Sequence, residues 1–190
     1  MGILGAINHY LYQCMCIGII LFICLEGIQF IFLKKRKKIF SYMASYIFYT
    51  YIVAVCILTD ALGFVSEGAS MYFMTPNLVP VVETVKSLHS NYPVASEQIF
   101  LNIMLILPFG LLVPLTLEYV KWNYKRITVV TVLTVCVIEY LEGLSGRFAD
   151  IDDVIINTVG SLLGFTIYCV LAKLEAMVSN LDKKKNEVSE

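Results

Sequence analysis

Between residues 139 and 157 the chain carries Glu139, Glu142, Arg147, Asp150, Asp152, Asp153 and Asn157. Five carboxylates, one guanidinium and one amide this close together open three kinds of chemistry. Carboxylate oxygens suit a hard divalent cation, here Glu142 with Asp150, Asp152 and Asp153, although their spacing matches no specific ligand motif. Paired carboxylates can pass protons during hydrolysis of a glycan or a phosphate ester. The same groups can also simply bind, by holding the charged headgroup of a lipid-linked molecule. A plainer role competes for part of the run. Aspartates just before a helix cap its orphan amides and suit its dipole, and Arg147 can neutralise them or pair with Glu139 or Glu142. Capping needs one carboxylate, however, and crowded carboxylates repel one another unless a cation compensates. One arginine does not balance five. No serine or cysteine has an evident base, and His9 and His89 stand alone, so nucleophilic catalysis is not indicated. The run is read as a binding surface with no assigned catalytic residue, resident metal or cofactor.

These groups sit in an otherwise apolar chain. Of 190 residues, 58% are hydrophobic and 15% charged, with a mean hydropathy of +0.77, against about 45–50% and about 25% in soluble domains. The apolar residues come in blocks of the roughly 20 residues that a bilayer requires. Five blocks qualify, at about 8–33, 39–62, 98–120, 127–145 and 153–173. They predict an all-α polytopic membrane helix bundle, with 1–190 as a single domain. No Lys or Arg precedes the first block, which is longer than the apolar core of a secretion signal, so it is expected to remain as the first span.

Twelve of the fourteen Lys and Arg fall in the first-to-second connection, in the third-to-fourth connection or after the fifth block, and only Lys86 and Arg147 fall on the other side. The positive-inside rule then predicts an outer amino terminus and a cytoplasmic tail over 174–190. Asn102, Glu139, Glu142, Arg147, Asp150, Asp152, Asp153 and Asn157, with Asp60 nearby, all fall within roughly 10 Å of the outer interface at about 1.5 Å per helical residue. That shared depth predicts one outward polar pocket.

Other features have quieter readings. Glu26 and Gln29 share a face of the first block and are expected to meet other helices or the 34–38 cluster rather than lipid. The basic loops are short connections between spans and do not suggest nucleic-acid binding. All six cysteines lie inside apolar blocks, where small buried side chains are the expected role. Pro76 and Pro80 argue against a continuous helix there, and 81–88 is expected to form a short interfacial helix. Pro108 and Pro114 are expected to kink the third span. Gly160 and Gly164, four apart, form a face that lets a neighbouring helix approach closely.

The order Asn77-Leu-Val-Pro80, then Asn102-x5-Pro108-Phe-Gly110-x3-Pro114, then Glu139-x2-Glu142, then Gly146-Arg147-x2-Asp150-Ile-Asp152-Asp153-x3-Asn157-x2-Gly160-x3-Gly164 resembles the VanZ-like family over about residues 75–170. Two positions depart from its pattern: Val81 stands where Phe is common, and Glu142 where Gln is usual. The resemblance implies a small multi-pass protein of the bacterial plasma membrane, implicated in low-level resistance to teicoplanin-type lipoglycopeptides. The expected partners are membrane lipids and either a lipid-linked cell-wall precursor or the lipoglycopeptide itself. The polar pocket would engage a precursor, a lipid headgroup or the drug. Two alternatives stand beside this expectation: a membrane hydrolase or transferase acting on a lipid-linked glycan or phosphate, and a carrier or flippase component. Glu26 and Gln29 favour the carrier, whereas the lack of an inverted repeat weighs against it. Enzymatic activity and oligomeric state are left open.

Overall fold

The computed structural model describes residues 3–34, 37–61, 76–147 and 149–189, without the side chains of 3–8, 33, 83 and 182–189. Six helices lie among the described residues: α1 (Ile3–Leu33), α2 (Ile39–Leu58), α3 (Val82–Ser90), α4 (Tyr92–Thr116), α5 (Tyr124–Leu144) and α6 (Ile151–Ser189). Five are long and apolar enough to cross a membrane, over His9–Phe32, Ile39–Leu58, Tyr92–Thr116, Tyr124–Leu144 and Ile151–Leu181. The chain is the all-α, multi-pass bundle that its apolar blocks predict.

Most helix ends differ from the expected ones by a few residues, and two of the differences have a clear local reason. α2 stops at Leu58 rather than near 62, because Asp60 turns left-handed at φ 54, a conformation that aspartate tolerates better than most residues. α4 starts at Tyr92 rather than near 98. Pro93 sits in its first turn, where a missing N–H costs no helical bond, so the polar residues 96–98 are wound into helix. α6 continues past the apolar block to Ser189, so the charged tail, expected to begin as a helical extension of the fifth span and then to fray, stays helical throughout its described length.

α4 and α6 form the closest-packed pair, α5 leans on α6, and α2 leans on α4. α1 packs chiefly on α2. The pairing of α4 with α6 is backbone against backbone. A Cβ on Gly160 would strike the Ile103 carbonyl, one on Gly164 the Leu107 carbonyl, and one on Gly110 the Ser161 carbonyl. Around this seam, Val55, Ile106, Phe109, Val113, Ile127 and Phe165 make the core. Thr131 and Ser161, both fully buried, satisfy each other at 2.7 Å. α4 remains one helix through Pro108 and Pro114. Side chains of α2 bond to carbonyls near both prolines: Tyr51 Oη donates to Leu105 O and Ser41 Oγ to Leu115 O, each at 2.7 Å. Proline frees the carbonyl four residues before it, here those of Met104 and Gly110, so these two bonds fasten α2 to α4 and do not replace the lost helical ones.

The two ends of the bundle are chemically distinct. At one end the α1–α2 and α4–α5 connections meet. Lys37 Nζ lies 2.7 Å from Glu26 Oε1 and also donates to Ser45 Oγ at 3.2 Å. Tyr49 Oη donates to Glu26, and Gln29 links Tyr49 to Tyr119. Glu26 and Gln29 thus face other elements, and Glu26 takes the pairing with the 34–38 cluster. Lys38, Lys121, Lys125 and Arg126 belong to this basic end. The carboxylates gather at the other.

Candidate functional site

Four chain segments meet at the carboxylate end, and each is anchored by the acidic run. Asp150 sits where α6 begins, and its Oδ1 accepts the Asp152 N–H at 2.9 Å, so it is the N-cap foreseen for one aspartate of the three. Its own N–H donates to Glu139 Oε2 at 3.2 Å, which ties the end of α5 to the start of α6. Asn77 pairs with this corner as a short parallel bridge. Its N–H donates to Ala149 O and its carbonyl accepts the Ile151 N–H, both at 3.0 Å. Asn77 Nδ2 adds a bond to Asp150 Oδ1 at 3.0 Å.

Asp152 reaches across to the next segment. It accepts the Val81 N–H at 2.5 Å, the Thr84 N–H at 3.2 Å and the Thr84 hydroxyl at 2.5 Å. It therefore caps α3, a helix 68 to 71 residues earlier in the chain. Two side chains fasten the loop between α5 and α6 onto the end of α2. Arg147 Nη1 donates to Thr59 O at 2.8 Å, and Ser145 Oγ to Asp60 O at 3.1 Å.

Beneath these fastenings lies a cavity of about 160 Å³. Asn102, Glu139, Glu142, Arg147, Asp153 and Asn157 line it together with Thr59, over an apolar floor that includes Val55, Ile106 and Ile138. Six of the eight residues expected to form one pocket therefore share one space. Asp150 and Asp152 instead border an adjoining cleft of about 140 Å³, walled by Thr84, Ser87 and Gln98, with Asn102 and Asp153 as the partition between the two. Asp60 is exposed and lines neither.

The cavity residues divide by partner. Arg147 Nε faces Glu142 Oε2 at 3.3 Å, so that carboxylate has its counter-charge. Asn102 Nδ2 donates to Asp153 Oδ1 at 2.6 Å. Asn157 is only 7% exposed, and among the described residues its Oδ1 has no hydrogen-bond partner. Buried polar atoms are almost always paired, and an orphan costs about 1–3 kcal/mol. Among the described residues, no three of His, Cys, Asp and Glu are grouped to hold a metal ion.

Residues 43–172 match the sequence profile of the VanZ/LLP1 family. The chain belongs to the VanZ/LLP1 family. The matched stretch runs from the first turns of α2 to the middle of α6 and contains every residue of the cavity. No curated protein and no solved structure matches the chain. Five apolar helices and VanZ/LLP1 membership together make this a multi-pass membrane protein, and the bacterial plasma membrane is consistent with that family.

Three residues of this VanZ/LLP1 corner escape a reading of single positions. Asn77 carries a visible signal, an Asn-x-x-Pro turn, but nothing local says that it pairs with Asp150. Thr84 and Thr59 carry none.

Proposed function

We propose that the cavity is the ligand site of a bacterial cell-envelope protein and that it opens on the extracytoplasmic side. The observation that carries this reading is the orphaned Asn157 Oδ1, buried on the wall of a cavity whose apolar floor faces a set of charged and amide groups. A structural polar cluster satisfies its members, whereas a binding site leaves an acceptor for its ligand. The gathering of Lys38, Lys121, Lys125 and Arg126 at the opposite end of the bundle supports the sidedness.

Size narrows what enters. A volume of 160 Å³ is close to that of an engineered cavity of about 150 Å³ that admits benzene. It receives a small polar end group, while the remainder of a lipid-linked cell-wall precursor or of a lipoglycopeptide stays outside. Engagement of such a group at the membrane surface would lower access of teicoplanin-type lipoglycopeptides to their target.

The test is drug susceptibility in a sensitive strain expressing the wild-type chain, Asn157→Leu or Glu139→Gln at matched levels. The wild type is expected to lower teicoplanin susceptibility, and both variants to lose that effect. Variants that protect as well as the wild type would refute the role of the cavity.

A further inference from the structure

Three carboxylates face the cavity, and they are not equivalent. Glu142 has Arg147. Glu139 accepts the backbone N–H of Asp150, and Asp153 the amide of Asn102. Against three carboxylates the lining offers one cation, Arg147, so the small space bordered by Glu139, Asp153 and the unpaired carbonyl oxygen of Asn157 carries negative charge in excess. Buried charges are found paired, because an uncompensated one carries a large desolvation cost. The lining suits a positively charged hydrogen-bond donor.

The lining also separates kinds of cation. Among the described residues no aromatic ring borders the cavity, whereas quaternary ammonium groups are held by aromatic cages. A primary ammonium has three N–H donors, one for each of Glu139, Asp153 and Asn157, and each carboxylate keeps an acceptor position beyond the bond it already takes. Among the described residues, no three acidic side chains are grouped as a divalent ion requires.

Glu139 has a second neighbour. It also borders a groove of about 210 Å³ on the flank of the bundle, whose walls include Pro76, Leu78, Cys136, Tyr140 and Val154. Leu78 and Tyr140 are exposed on a helix bundle that crosses a membrane. A groove of this composition beside an acidic cavity fits an amphiphile better than a soluble amine.

We propose that the ligand is an amine-bearing membrane lipid, its primary ammonium held by Glu139, Asp153 and Asn157 and its acyl chain lying in the groove beside Glu139. This rests on the reading of the cavity as a ligand site and adds the class of molecule that occupies it.

Native mass spectrometry of the full chain in detergent tests the idea, with phosphatidylethanolamine, phosphatidylcholine and phosphatidylglycerol of identical acyl chains. Phosphatidylethanolamine is expected to be retained over the other two by about tenfold, the scale of one charged hydrogen bond. Free ethanolamine at the same concentration should not displace it. Glu139→Gln and Asp153→Asn should each abolish the preference while leaving retention of the other two lipids unchanged. Equal retention of the three lipids overturns the proposal, and so does displacement by free ethanolamine. A preference for phosphatidylglycerol that Asn157→Leu removes would leave the cavity a headgroup site and defeat only the amine. Lipid retention that no cavity variant alters would defeat both. Should Glu139→Gln fail to fold, Asp153→Asn alone carries the comparison.

Discussion

Replacing Asp152 with alanine removes the one carboxylate from which the start of α3 hangs. Two backbone amides and a hydroxyl lose their acceptor, with only water from the adjoining cleft to replace a carboxylate. A hydrogen bond to a charged group contributes about 1.5–3 kcal/mol. Three such bonds to one carboxylate share its desolvation and do not add in full. A total of about 3 kcal/mol is a reasonable working figure, or roughly a hundredfold in the local opening equilibrium. Val81 adds to the effect. It holds a left-handed φ of 72, which costs a β-branched residue about 1–3 kcal/mol, and the bond from its N–H to Asp152 helps to hold it there. Hydrogen exchange on the full chain in detergent reads the outcome directly. Exchange at Val81 and Thr84 should quicken by about two orders of magnitude, with α5 and the middle of α6 unaffected. Asp152→Asn should fall between, since an amide keeps one acceptor oxygen and loses the charge. Unchanged protection at both amides in Asp152→Ala would refute the assignment of Asp152 as the anchor of α3.

Four further outcomes are expected. Asn157→Leu removes a buried, unpaired amide, so its Tm should stay level or rise while the effect on teicoplanin susceptibility disappears; a fall in Tm would mean that the amide was satisfied after all. Gly110→Ala and Gly164→Ala drive a Cβ into a facing carbonyl and should each cost about 1–3 kcal/mol in denaturant titration, whereas Gly27→Ala, which meets open space, should cost nothing of that kind. Glu26→Leu leaves Lys37 buried without its partner and should lose about 3–5 kcal/mol, much of which Glu26→Leu combined with Lys37→Met should recover. A membrane-impermeant thiol reagent applied to intact cells should label Leu78→Cys and not Lys125→Cys; the reverse pattern would invert the proposed sidedness.

Reading residue types alone goes far on the spans and less far on the corner. Block length finds all five spanning helices, because in hydrocarbon a helix must satisfy its own backbone. Helical rise is enough to bring Asn102, Glu139, Glu142, Asp153 and Asn157 to one depth, and the cavity contains all five. What spacing does not separate is Asp150, Asp152 and Asp153, which share a single turn. Their fates diverge because the segment around Asn77–Thr84 folds back over α6, so one aspartate caps its own helix, the next caps α3 and the third meets Asn102. These are contacts across 51 to 71 residues outside the cap itself, and no local pattern encodes them. The start of α4 escapes for a different reason. Pro93 reads as a breaker but falls at the one place in a helix where proline is at home.

The glycine seam sets the tolerance of everything above it. Gly160 rests on the carbonyl of Ile103, the residue next to Asn102, and lies seven positions after Asp153 on the same helix. The gap across which Asn102 meets Asp153 is therefore gauged by main-chain atoms, whose dimensions are covalently set, and not by side chains that can adopt new rotamers. The seam works as a spacer block. Apolar residues facing lipid can be exchanged without moving the two walls of the cavity. A single methyl group at Gly160 or Gly164, well below the polar groups, would widen the gap and be felt as a lost contact between Asn102 and Asp153.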